Sequence, residues 1–101
     1  MSKVKFLKSL QSIIVDRLEK APKGSYTARL AAKGDLKVAQ KLGEEAVELA
    51  LASIAEDNEA VTAEAADLLY HMLLLLAMRD IKITDVIAEL ERRHEDAAKR
   101  F

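Results

Sequence analysis

Only three glycines and one proline interrupt 101 residues, and between them apolar side chains return every three or four positions almost throughout. That spacing places them on one side of a helix, and no alternating pattern of strand type competes with it, so the chain reads as all-α. The pattern predicts a first helix from about Lys3 to Lys20, with Phe6/Leu7, Leu10, Ile13/Ile14 and Leu18 facing inward, stopped before Pro22 and Gly24. Ser25 to Gly34 reads as one or two helical turns closed by glycine, after which Asp35 is expected to cap a long helix reaching about Ala55. Glu56-Asp57-Asn58 makes a turn, a third long helix runs from about Glu59 to Met78, and Thr84 caps a fourth from Asp85 to the C-terminus. The short connections imply antiparallel neighbours, hence a bundle of about four main helices in a single domain, residues 1–101.

The composition excludes several classes of function. Sixteen basic and seventeen acidic residues leave a formal net charge of −1, which attracts neither nucleic acid nor an anionic membrane. With no cysteine there are no disulfides and no thiolate metal sites, and a reducing cytoplasm is the expected location. The N-terminus alternates charge with apolar residues instead of forming a signal peptide. The longest apolar run, Leu68 to Met78, is interrupted by His71 and falls short of the roughly 20 residues of a membrane helix.

The polar residues of the two long central helices are unusually placed. At about 100° per residue, Glu44, Glu45 and Glu48 fall within one arc of roughly 100°, with Lys37 and Lys41 on the same side. Leu42, Ala46, Val47, Leu49, Ala50, Leu51 and Ile54 occupy the rest of that helix, so it is expected to be largely buried and its acidic strip to face a cleft or edge. On the next helix Glu64, Asp67 and His71, at i, i+3 and i+7, share a stripe of about 60° in otherwise apolar surroundings. Unpaired buried carboxylates are costly and repel one another, so a cation must offset them. Lysine pairing is one candidate. The charge left after Lys37 and Lys41 are counted favours the other, a divalent ion, and oxygen ligands select Mg²⁺ or Mn²⁺ over zinc. A carboxylate-held Mg²⁺ beside lysines suits a polyphosphate, and the reaction class it implies is nucleotide pyrophosphohydrolysis.

Glu44-Glu45-x-x-Glu48, followed after 15 residues by Glu64-x-x-Asp67, resembles the metal motif of the all-α, MazG-like nucleoside triphosphate pyrophosphatases. Ser25-Tyr-Thr-Ala-Arg-Leu-Ala-Ala-Lys-Gly34, Gln40-Lys-Leu-Gly-Glu-Glu-Ala-Val-Glu-Leu-Ala50 and Glu64-Ala-Ala-Asp-Leu-Leu-Tyr-His71 are similar to the phosphoribosyl-ATP pyrophosphatase family of histidine biosynthesis, over roughly residues 7 to 94. The resemblance implies Mg²⁺-dependent hydrolysis of phosphoribosyl-ATP to phosphoribosyl-AMP and pyrophosphate, the second step of that pathway, by a homodimer or larger helical assembly. In some organisms the activity is fused to the next enzyme, phosphoribosyl-AMP cyclohydrolase; with no room for it beyond the last helix, the stand-alone form is expected here. Helices apolar on nearly every side point independently to a partner chain, since a 101-residue monomer cannot cover them all.

Carried onto this sequence, the resemblance makes Glu45, Glu48, Glu64 and Asp67 the metal-facing residues, and Glu44 a support for them or an orienter of the attacking water. Arg29, Lys33, Lys37 and Lys41 are candidates for phosphate contacts on charge and position. His71 is a candidate substrate contact or partner of the metal residues, its alternative being a satisfied core histidine. Two other functions are compatible with the same residues. One is a house-cleaning pyrophosphatase of free nucleoside triphosphates, and the other a non-catalytic helical dimerisation module whose acids pair with lysines.

Overall fold

The computed structural model describes residues 2–96, and among them every regular element is a helix. In chain order these are α1 (Lys5–Lys20), α2 (Tyr26–Ala32), α3 (Asp35–Ala55), α4 (Asn58–Met78) and α5 (Ile83–Glu95). The all-α expectation holds, and the two central helices end where the spacing predicts. Residues 97–101, on which the expected end of the last helix falls, lie outside the described residues.

Helix α3 and helix α4 are joined by Glu56 and Asp57 alone, so they fold back on each other and form the principal helix pair of the molecule. Asp57 starts α4 by accepting a hydrogen bond from the Ala60 N–H at 2.9 Å. Helix α1 lies against α4, α2 and α5, and α2 against α1 and α3. The core sits where these elements meet: Ile14, Leu30, Val38, Leu73, Leu74 and Ile83 are buried, with Leu7, Leu10, Leu18 and Tyr70 packed around them.

The caps differ from the expected ones. Ser25 does cap α2, accepting from Ala28 N–H at 3.2 Å, but α3 is entered through Gly34 and not through a capping Asp35. Gly34 has φ +99, a conformation that a side chain would strain, and it lets the chain reverse directly from α2 into α3. Asp35 becomes the acidic residue of the first turn, where the helix dipole favours it. Thr84 likewise lies inside α5, whose N-cap is Lys82; the Asp85 carboxylate reaches back to the Lys82 N–H at 2.9 Å. Helix α1 begins at Lys5, not Lys3, with the preceding residues in a turn.

The inner stripe of α1 is narrower than apolarity alone predicts. Leu7, Leu10, Ile14 and Leu18 face the core, whereas Phe6 is 51% and Ile13 44% exposed, about 100° off that line. Their place is taken by a polar residue, Gln11, which is buried. Its Nε2 donates to the Ile81 carbonyl at 3.0 Å and its Oε1 accepts from the Ile83 N–H at 2.6 Å, so one amide ties α1 to the α4–α5 connection and satisfies a first-turn N–H of α5.

Two further expectations need correction. Within the single chain α3 is not largely buried: only Val38, Glu45 and Ala52 are, while Leu36, Val47, Leu51 and Ile54 are 89%, 58%, 60% and 85% exposed. Helix α4 taken whole, unlike the run Leu68 to Met78, is long and apolar enough to cross a membrane by length and composition alone. It carries Glu64 and Asp67 at mid-length and buries His71, Leu73 and Leu74 against the other helices.

Replacing Gln11 by methionine leaves the Ile81 carbonyl and Ile83 N–H without their partner, so a loss of about 2 kcal/mol is expected. A urea midpoint lowered at constant slope shows it; an unchanged midpoint refutes the role given to Gln11.

Candidate active site

Pairing α3 with α4 brings Glu45 and Glu48, one turn apart on α3, opposite Glu64 on α4. One oxygen from each of the three carboxylates lies within 4.8 Å of the others, a grouping that can hold a metal ion. Glu45 is buried, Glu64 half-buried and Glu48 open to solvent. Lys41, one turn before Glu45, pairs with its Oε1 at 2.9 Å. This single cation does not satisfy the group: Oε2 of Glu45 and Oε2 of Glu64 are both buried without a hydrogen-bond partner. Buried carboxylate oxygens ordinarily have partners, so two orphans within this group of acids fit a site for a hard cation.

The electrostatics divide the acids. The Lys41 ammonium holds the Glu45 carboxyl below its ordinary value, against the opposing effect of its burial. Glu48 is pushed up by the Glu45 carboxylate beside it, with burial and Glu64 adding to the effect. Two carboxylates this close share a proton unless a cation is supplied. Lys41 is correspondingly raised by Glu45.

The other acids are less closely gathered. Asp67 follows Glu64 by one turn of α4, but its side chain is exposed and its carboxylate lies outside the three-carboxylate grouping. Glu44 is exposed on α3 and accepts from Gln40 Nε2 at 3.2 Å. Lys37 is exposed on α3, Arg29 is exposed in the last turn of α2, and Lys33 is the residue that ends α2. All three are thus on the α2–α3 corner, with only Lys41 bonded into the carboxylate group.

His71 is buried, and both of its ring nitrogens are engaged within the chain. Nδ1 lies 2.7 Å from the Asp67 carbonyl oxygen, which only accepts, so Nδ1 carries the hydrogen. In the neutral ring Nε2 is then an acceptor, and it takes the hydroxyl proton of Tyr26 at 2.9 Å. Beside this contact Thr27 Oγ1 is hydrogen-bonded to Tyr70 Oη. Two successive residues of α2 are therefore latched onto two successive residues of α4. Charge and periodicity do not single out Tyr26, Thr27 or Tyr70; their only signal is adjacency to residues already marked, since Tyr26 and Thr27 follow Ser25 and Tyr70 precedes His71.

With this geometry in view, comparison with known proteins is decisive. The model of the phosphoribosyl-ATP pyrophosphohydrolase family matches residues 7–94. The chain belongs to that family. It is 54% identical over 87 residues to a phosphoribosyl-ATP pyrophosphatase of Metallosphaera sedula, covering 86% of this chain and 94% of the relative. The corresponding protein of Saccharolobus solfataricus is 50% identical over 86 residues (85% and 92% covered), and that of Agrobacterium fabrum 51% over 87 residues (86% and 81% covered). As a phosphoribosyl-ATP pyrophosphohydrolase family member, the chain has its three gathered carboxylates on α3 and α4, the two helices whose sequences carry the MazG-like motif.

If these carboxylates await a cation, neutralising one relieves the apo protein. In the presence of EDTA, Glu48→Gln is expected to melt a few degrees above the parent, while added Mg²⁺ raises the melting temperature of the parent and not of the variant. Equal shifts with Mg²⁺ in both proteins would remove Glu48 from the cation site.

Proposed function

We propose that this protein hydrolyses phosphoribosyl-ATP to phosphoribosyl-AMP and pyrophosphate, the second step of histidine biosynthesis, with Mg²⁺ as cofactor and Mn²⁺ as its substitute. The family membership supports the enzyme class and the reaction, and one structural observation supports the cation: the orphaned, buried oxygens of Glu45 and Glu64 beside Glu48. Water adds at phosphorus, the bond between the α and β phosphates breaks, and pyrophosphate leaves.

In this reading Glu45, Glu48, Glu64 and Asp67 hold the ion, which when bound supplies positive charge against the phosphate oxygens. Lys41, already drawn to Glu45, presents its ammonium to the same phosphates. Glu44, exposed one residue away, orients the attacking water. Arg29, Lys33 and Lys37 supply the remaining counter-charge from the α2–α3 corner. His71 has both nitrogens committed, so it acts by positioning its neighbours instead of by touching the substrate.

We further propose that residues 1–101 form one cytoplasmic domain that works as a homodimer, completing a helical bundle. Its partners are the small-molecule substrate and a second copy of itself, without nucleic acid or membrane. Support comes from the open apolar residues Leu36, Val47, Leu51 and Ile54 on α3, too many for an ordinary surface. The radius of gyration, 15.2 Å, also exceeds the roughly 13 Å of a compact domain of this length.

Pyrophosphate release from phosphoribosyl-ATP, measured with and without Mg²⁺ beside a panel of free nucleoside triphosphates, decides the substrate. Glu48→Gln and Asp67→Asn are each expected to lower Mg²⁺-dependent turnover on the order of a hundredfold or more while the helical circular dichroism is kept. Retained turnover in both variants would sink the assignment of the acids. Preference for free triphosphates would favour the house-cleaning activity.

A further inference from the structure

Tyr26 is placed in a way that stability alone does not require. It is the first residue of α2, a helix of seven residues, and 44% of it is open to solvent. An exposed phenol ordinarily turns freely, but this one is fixed at its far end by donating to a buried histidine, whose own hydrogen is fixed by the Asp67 carbonyl. The Tyr26 ring meets His71 edge to face, with centroids 5.8 Å apart at 84°, and lies 6.2 Å from Tyr70. Thr27, bonded to Tyr70, holds the next residue of the same turn. Part of the ring is thus packed against α4 while the remainder stays open in a set orientation.

The open ring adjoins the helix that carries Glu64 and Asp67. Its hydroxyl meets His71, which follows Asp67 by one turn and Glu64 by about two on α4, and the Asp67 carbonyl holds the same histidine. The other open aromatic among the described residues, Phe6, is on α1, which contributes none of the carboxylates. A substrate whose phosphates lie against Lys41 has its base to place nearby, and a rigid aromatic ring is the sequence-tolerant way to hold a base.

We propose that Tyr26 is the platform on which the purine of the nucleotide substrate stacks, with His71 and Tyr70 fixing the angle of the ring. This rests on the reading of the site as one for a nucleotide pyrophosphohydrolase. Tyr26 is then a substrate-binding residue, and His71 a positioning residue that acts through it.

The chain contains no tryptophan, so Tyr26→Trp introduces a single fluorescent reporter at the platform. Titration of this variant with AMP is expected to quench its emission in a saturable way, while ribose 5-phosphate at equal concentration leaves it unchanged. In steady-state assays Tyr26→Ala is expected to raise KM for phosphoribosyl-ATP about tenfold, the loss falling on KM far more than on kcat, and Tyr26→Trp is expected to recover most of it. Equal responses to AMP and ribose 5-phosphate, no response to either, or an unaltered KM in a folded Tyr26→Ala would each overturn the platform. So would emission that changes with protein concentration and not with AMP, which puts Tyr26 between copies of the chain. If Tyr26→Ala does not fold by circular dichroism, the tryptophan titration decides alone. Failure of the parent to release pyrophosphate from phosphoribosyl-ATP would sink the proposed reaction but not quenching by a base.

Discussion

Helices α3 and α4, joined by two residues, must lie side by side, and where they meet they bring three carboxylates within 4.8 Å of one another. Like charges at such separations oppose folding unless something cationic joins them, and the single lysine within reach engages only one oxygen. The rest of the molecule can be understood around that juxtaposition. The apolar contacts of α4 through Leu73 and Leu74 hold the hairpin closed, α1 is fastened across it by Gln11, and α2 is latched to its side through Tyr26 and Thr27. The acids are kept together by apolar packing around them, the kind of rigid support that a preorganised site requires.

Much of this arrangement is legible in the sequence because it depends on local periodicity. The limits of α3 and α4 follow, to within a residue, from apolar spacing and the Glu56-Asp57-Asn58 turn, and the paired acids stand out because they interrupt helices that are otherwise apolar. What periodicity cannot reveal is a polar residue buried by a partner distant in sequence. Gln11 reads as one more surface residue of α1 until Ile81 and Ile83, some 70 positions away, come to meet it. Tyr26 and His71, 45 positions apart, are hidden for the same reason. The caps at Gly34 and Lys82 were missed for a different one: a backbone able to take an unusual φ, or a carboxylate reaching backward, substitutes for the side-chain oxygen that capping rules seek. Apolarity also overstates burial in a single chain, since Phe6, Ile13, Leu36 and Ile54 have the composition of a core and the exposure of a surface.

Those open apolar residues and the charged site serve different ends of the same design. On α3 the carboxylates and Lys41 turn toward α4 and α2, while Leu36, Val47, Leu51 and Ile54 remain outside the chain's own core. A helix that buries an acid beside Val38 and Ala52 and leaves this many apolar residues open departs from the usual order of a monomer, which is the support for the proposed second chain. Asp67 and His71, the partner of Tyr26, lie one turn apart on α4, which sets the start of α2 beside the acidic stretch of that helix.

The central claim is that Glu45, Glu48 and Glu64 form a divalent cation site, and Mn²⁺ titration followed by electron paramagnetic resonance tests it most directly, since bound Mn²⁺ loses the six-line signal of the free ion. The account predicts saturable loss of that signal in the parent protein, recovered by excess Mg²⁺ and absent in Glu64→Gln. A signal that stays free in the parent, or is lost equally in Glu64→Gln, would contradict it.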